Sequence, residues 1–128
     1  MYKIALLVGT GGFIGSIARL LMQQLVSRHA TTIFPLGTFI VNILGCFVIG
    51  LVYGAANKSS WMSAEWRFFI GTGLCGGFTT FSTFSYENLT LLKEGNYTYC
   101  ALYMISSLLL GLLASLIGVV VINSLYKI

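Results

Sequence analysis

The sequence predicts an all-α integral membrane protein with four transmembrane helices per subunit, and three observations predict it. Of the 128 residues, 57% are apolar and only 8% charged, with a mean hydropathy of +0.91. A soluble domain carries about 25% charged residues, so this chain has too little polar surface to cover a globule in water. Its apolar residues form long continuous runs, whereas the strands of a membrane barrel would show short alternating segments between turns. One helical span needs about 20 apolar residues, so four take roughly 80 and leave about 48 for ends and connections. No soluble catalytic domain fits in that remainder, and residues 1–128 read as one four-span membrane domain.

The charges mark the spans. Between Lys3 and Arg28 the only charged residue is Arg19, which sets a first span at 4–26. No Lys, Arg, Asp or Glu lies between Arg28 and Lys58, and Pro35 with Gly37 marks the start of a second span at 36–56. Residues 57–65 are polar and contain Trp61, the pattern of an interfacial connection. Arg67 opens a third apolar stretch, 68–92, interrupted by Glu87; a turn from Lys93 to Asn96 follows, then a last span at 97–126. Lys3 before an apolar run has the look of a signal peptide. No small-residue cleavage site leads into a soluble domain, so a retained helix is the expectation.

Net charge is +4, yet the basic residues are scattered at span edges with no basic stripe among aromatics, which argues against nucleic acid as a partner. Cys46, Cys75 and Cys100 each sit inside an apolar run and read as small hydrophobes, neither a disulfide framework nor a metal site. With four spans, Lys3, Lys58, Arg67 and Lys127 share one side of the membrane and face Arg28 and Lys93 on the other. That bias is small for a rule that works through Lys/Arg excess. One orientation, or insertion both ways up with an antiparallel homodimer, are both open on charge alone. The GxxxG pairs Gly11/Gly15 and Gly50/Gly54 read as close helix packing.

The third span is the informative one. Residues 73–87 read Gly-Leu-Cys-Gly-Gly-Phe-Thr-Thr-Phe-Ser-Thr-Phe-Ser-Tyr-Glu. Adjacent Gly76 and Gly77 each cost about 1 kcal/mol of helix propensity relative to alanine, and hydroxyl-bearing residues crowd the positions that follow. The expectation is a helix broken near the bilayer midplane, at 76–80, around the paired glycines. Irregular backbone is tolerated there only where protein buries it or it lines a polar cavity. The bland alternative is a continuous helix whose hydroxyls bond back to their own carbonyls.

Other spans add polar groups at helical spacing. Thr38 and Asn42 share one face, and Tyr103, Ser107, Gly111 and Ser115 repeat every four residues along the last span. Each stripe alone is ordinary helix-to-helix glue. Together, with no carboxylate or histidine among them, they look like an ion path, and groups that donate hydrogen bonds suit an anion. Arg19 lies about 12 Å from its helix end. It has either a plain role, snorkelling or pairing with Glu87, or the role of drawing anions into a vestibule.

Three segments carry a family resemblance. Gly-Gly-Phe-Thr-Thr-Phe-Ser-Thr-Phe-Ser (76–85) with Glu87, Pro-Leu-Gly-Thr-Phe-Ile-Val-Asn-Ile-Leu-Gly (35–45) and Gly-x-x-Gly-x-x-x-Arg (12–19) resemble the Fluc/CrcB fluoride channels of bacteria. The likeness covers essentially the whole chain. It implies a multi-pass protein of the inner membrane, surrounded by lipid, that forms a dual-topology homodimer with two parallel fluoride pores. Each pore would be lined by both subunits, Phe81 of one facing the partner's Phe84. A structural sodium ion at the dimer centre would be held by the backbone carbonyls of Gly76 and Thr79, Asn42 would be a pore-side donor, and Arg19 would sit near a vestibule.

The chemistry agrees with that implication. Removing a bare ion from water costs tens of kcal/mol, so a path must replace the water hydrogen bonds without holding the ion. The Asn42 amide and the hydroxyls of Thr38, Ser82, Thr83, Tyr103 and Ser107 can supply donors, and Ser115 continues the same stripe. Ring edges carry the positive part of the aromatic quadrupole, so Phe81 and Phe84 could meet an anion edge-on; core packing is their plainer role. The rival is a small proton-coupled multidrug exporter, which needs a titrating group in the membrane. The first span has none, and Glu87, the one acidic residue in any span, lies near a helix end on this reading. An accessory subunit would explain the packing glycines and leave the hydroxyl-rich break unexplained. No nucleophile–base pair or metal-ligand cluster points to an enzyme.

Overall fold

The computed structural model describes residues 1–58 and 62–127, so the interfacial reading of Trp61 lies outside the described residues. Within them the chain is helical and contains no strand. The first run forms α1 (Tyr2–His29), whose terminal Arg28 and His29 complement the negative end of the helix dipole. Pro35, with φ already fixed for a helix, starts α2 (Leu36–Lys58), and its carbonyl accepts the Phe39 N–H at 3.1 Å. The last run forms α6 (Tyr97–Leu125). These three helices are long and apolar enough to cross a membrane, which makes the chain a multi-pass membrane protein.

The remaining apolar stretch is divided. Ser63 caps α3 (Ala64–Arg67) by accepting the Trp66 N–H. The chain then widens into a π-helical segment, Phe68–Cys75, and tightens again in α4 (Gly76–Phe78). Thr79 (φ −86°, ψ 159°) and Thr80 (φ −151°, ψ 115°) are extended. Helix resumes as α5 (Phe81–Lys93), with the Thr80 hydroxyl accepting the Thr83 N–H at 3.2 Å as its cap. Gly95, at φ 77°, makes the turn into α6 that no other residue type adopts easily. Asn96 and Gly95 N–H groups close the end of α5 on the carbonyls of Leu91 and Leu92.

The break exists, but the paired glycines do not make it. Gly76 is helical (φ −61°, ψ −37°), and the chain opens three residues later at the threonines. Gly77 is there for space. A Cβ on it would stand 2.5 Å from the Gly12 carbonyl oxygen and 3.0 Å from the Gly12 Cα. Gly11, Gly15 and Gly73 belong to the same seam, so α1 lies backbone to backbone against the π-helical segment and α4. A second seam joins α2 to α6, where Gly50 meets the Ser115 backbone and Gly118 meets that of Phe47. Small residues let helices approach without a hydrophobic driving force, which lipid does not supply.

Gly77→Ala should therefore lower thermal stability in detergent by about 1–3 kcal/mol, the usual cost of overpacking. Gly9→Ala, whose Cβ would meet nothing within 4 Å, should leave stability unchanged or raise it by up to about 1 kcal/mol through helix propensity.

Candidate functional site

Of the two threonines that leave helical geometry, Thr80 is paired by one side chain. Asn42, on α2, accepts the Thr80 N–H on Oδ1 at 2.8 Å and donates from Nδ2 to the Thr80 carbonyl at 3.2 Å. It does for Thr80 what a neighbouring strand would do. Thr79 still closes its helix, with N–H and hydroxyl both donating to the Cys75 carbonyl, at 3.0 and 2.9 Å. Because the Thr80 N–H goes to Asn42, the Gly76 carbonyl loses the donor that would follow it in a helix.

The break borders an open cleft of about 820 Å³ between α2, α4, the start of α5 and α6. Asn42, Gly76, Thr79, Phe81, Phe84 and Ser107 all line it. Phe81 is 79% exposed there, a large apolar side chain beside unwound backbone. Its ring lies 5.8 Å from that of Phe84, which in turn packs edge-on against Tyr103 at 4.8 Å. The Ser107 hydroxyl is buried and has no hydrogen-bond partner among the described residues. Among buried hydroxyls that condition is uncommon and calls for an explanation.

A second centre forms around Glu87. Thr38 donates to Oε2 at 3.0 Å and Tyr103 to Oε1 at 2.9 Å. Tyr103 is fully buried and Thr38 nearly so. Two of the polar stripes thus converge on a carboxylate, which corrects the expectation of a path free of acidic groups. Glu87 also sits in the middle of α5 rather than near a helix end, because the break moves the start of that helix to Phe81. Next to it lies a smaller cavity of about 380 Å³ lined by Gln23, Ser27, Thr32, Thr38, Thr83 and Glu87.

The remaining predicted residues divide between these places. Thr83 receives the Thr80 hydroxyl at 3.0 Å, and Ser82 stands 3.3 Å from the same oxygen, so the three form one hydroxyl cluster at the start of α5. Ser115 donates to the Cys46 carbonyl at 3.1 Å, a bond between α6 and α2 rather than a group facing the cleft. Arg19 is half-buried on the α1 face that carries Gly11 and Gly15, one turn beyond Gly15. Among the described residues it makes no ion pair with Glu87; the ion pair present is Lys3 with Glu65, at 2.8 Å. Gly76 and Thr79 both border the cleft, and carbonyls released from helical bonding are the oxygen donors a hard cation takes. The residues present fit a sodium ion.

Sequence reading missed Thr80 and Gln23. Thr80 stands in the capping position of α5, three residues before the N–H that it accepts, and Thr83 with Glu87 is a four-residue pair on one face. Those spacings were the available signal.

Residues 6–119 match the family model described as CrcB-like protein, Camphor Resistance (CrcB). The chain belongs to the CrcB family. A protein of Gloeothece citriformis named fluoride-specific ion channel FluC is 50% identical over 114 residues, 89% of this chain and 92% of the relative. One of the same name from Azobacteroides pseudotrichonymphae is 46% identical over 118 residues, 92% and 94% of the two chains. Another, from Phocaeicola vulgatus, is 46% identical over 117 residues, 91% and 96%. CrcB membership sets aside the multidrug exporter and the accessory subunit.

If Asn42 is what holds the break, Asn42→Leu leaves the Thr80 N–H and carbonyl without partners. Thermal stability should fall by about 1–3 kcal/mol, and hydrogen exchange should show the Thr80 amide losing protection while the α2–α6 seam keeps its own.

Proposed function

We propose that the protein is a passive, fluoride-selective ion channel of the bacterial inner membrane that relieves fluoride toxicity by letting the ion leave the cell. It is a channel and not an enzyme. The observation that carries this reading is the cleft at the break, where the unpartnered Ser107 hydroxyl stands beside Phe81 and Phe84. Relatives at 46–50% identity that bear the name of a fluoride channel support it.

The broken stretch is the fourth crossing. The Lys3–Glu65 pair, which joins the start of α1 to α3, supports a common side of the membrane for the two. From there 64–93 crosses to the Gly95 turn, and α6 returns. Unwound backbone, a free hydroxyl and an amide cannot face lipid, so the cleft that holds them is covered by protein. A second copy of the chain is the occupant that matches it, as an antiparallel homodimer with two pores. Each exposed Phe81 then finds a ring of the partner subunit, and the Gly76 and Thr79 carbonyls of the two copies converge on a structural sodium ion.

Fluoride is stripped of water gradually along such a path. Arg19 raises the local anion concentration, Ser107 and the Ser82–Thr83 hydroxyls donate hydrogen bonds, and the ring edges of Phe81 and Phe84 offer weak positive poles. Neutral donors of this kind stabilise the ion without trapping it. The sodium supplies fixed positive charge between converging carbonyl oxygens, while Asn42 and Thr80 hold those carbonyls in place.

Two experiments test this. Protein reconstituted in liposomes under a fluoride gradient should release fluoride, read by a fluoride electrode, far faster than empty vesicles and far faster than it releases chloride. Phe81→Ile and Phe84→Ile should each cut that flux at least tenfold with the dimer intact; normal flux in both returns the rings to packing. Separately, exchange of sodium for a large organic cation during purification should weaken the dimer or its conduction, and indifference to sodium would remove Gly76 and Thr79 as ligands.

A further inference from the structure

The smaller cavity brings to Glu87 a residue from a helix that carries none of the polar stripes. Gln23 lies on α1 where that helix meets the start of α2, its Cα 3.4 Å from the position a Cβ on Gly37 would take. Its Nε2 is 3.2 Å from the Thr38 hydroxyl oxygen. A threonine hydroxyl has one hydrogen and two acceptor positions. That hydrogen goes to Glu87 Oε2, so the Gln23 atom at Thr38 must be the amide N–H. The result is a directed chain in which each group donates to the next: Gln23 to Thr38, and Thr38 to Glu87, with Tyr103 donating to the other carboxylate oxygen.

The direction has a cause. A threonine inside a helix ordinarily turns its hydroxyl back onto a carbonyl one turn earlier. An amide occupying one side of the Thr38 oxygen opposes that rotation and aims the single hydrogen at α5. Gln23 also borders the cavity between α1, α2 and α5, which Ser27 and Thr83 line as well.

We propose that Gln23 is a positioning residue of the ion path, acting through Thr38 to fix the Glu87 carboxylate on the wall shared by the cavity and Tyr103. This rests on the fluoride-channel reading above. Gln23 makes no demand on the sodium site or on the two phenylalanine rings. Its effect runs only through the Thr38 hydroxyl, and that makes it separable from a general packing role.

The test is a double-mutant cycle on fluoride efflux from liposomes, using the full chain with Gln23→Leu, Thr38→Val and the pair. Loss of one directing hydrogen bond should slow efflux by between about twofold and about tenfold in Gln23→Leu. Thr38→Val should slow it at least as much, and the double variant should be no slower than Thr38→Val alone. Efflux by Gln23→Leu at the parent rate overturns the proposal, and so does a double variant slowed by the product of the two single effects, since packing defects at two sites multiply. Gln23→Met keeps the length of the side chain but lacks the N–H and adds no charge, so it covers the case in which the leucine variant does not fold. It should be slow in the same way and equally silent in the Thr38→Val background, and parent-like efflux overturns the proposal. Parent protein that releases no fluoride defeats the channel reading instead, before any variant is compared.

Discussion

The rest of the structure depends on one side chain satisfying one residue's backbone. In lipid, an unpaired N–H or carbonyl costs several kcal/mol, and a helix that stops in mid-membrane creates such groups. Asn42 meets both polar groups of Thr80 with a single planar amide. This pairing is what allows Thr79 and Thr80 to be extended while α2 next to them continues unbroken. It also places the exposed Phe81, the first residue of α5, at the edge of the cleft.

The two halves of the broken stretch are held by different physics. The first half is locked by backbone-close glycine contacts with α1, where a single added methyl meets main-chain atoms that cannot move aside. The second half touches the body through a cluster of Leu91, Cys100 and Tyr103 with Phe34, Phe39 and Phe84, and through the bonds to Glu87. Edge-on aromatic pairs contribute about 0.5–1.5 kcal/mol each beyond burial, and hydrogen bonds to a charged group about 1.5–3 kcal/mol. Rigid scaffold therefore lies on one side of the break, and a polar, directional attachment lies on the other. The hydroxyl cluster and Glu87 lie on the second.

How far this was legible in the sequence differs by residue. Span limits came from charge spacing, and the helices follow them within a few residues because lipid leaves the backbone no alternative. A break within 76–80 was readable from glycines and hydroxyls crowded into residues 76–86; that Thr79 and Thr80, not the glycines, leave the helix was not. Helix propensity pointed to Gly76 and Gly77, but Gly77 answers to Gly12 and Ser16 on another helix, and propensity does not register a neighbour. Asn42 was picked out as a donor, yet its partner is backbone 38 residues away, which no local pattern encodes. Glu87 was discounted because the span was read as ending nearby, and once α5 begins at Phe81 it becomes central. Ser115 had the right spacing for the stripe and a different partner, the Cys46 carbonyl, so four-residue periodicity identified the face but not the bond.

Orientation in the bilayer follows from the same distances. Lys3 and Glu65 meet at 2.8 Å with both side chains largely exposed, and such a pair adds at most about 1 kcal/mol of stability. Its value is geometric, since it brings the start of α1 next to α3. Orientation is set by Lys and Arg, and acidic residues contribute little, so the pairing does not cancel Lys3. The count is Lys3, Lys58, Arg67 and Lys127 against Arg28 and Lys93, with Arg19 between. A chain with a strong bias could not supply both members of an antiparallel pair, and a chain with this weak one can. A two-fold axis in the membrane plane presents the same surface from both copies. Such an axis through the cleft would set break against break, and the polar groups that each copy cannot leave to lipid would be covered by the same groups of the other.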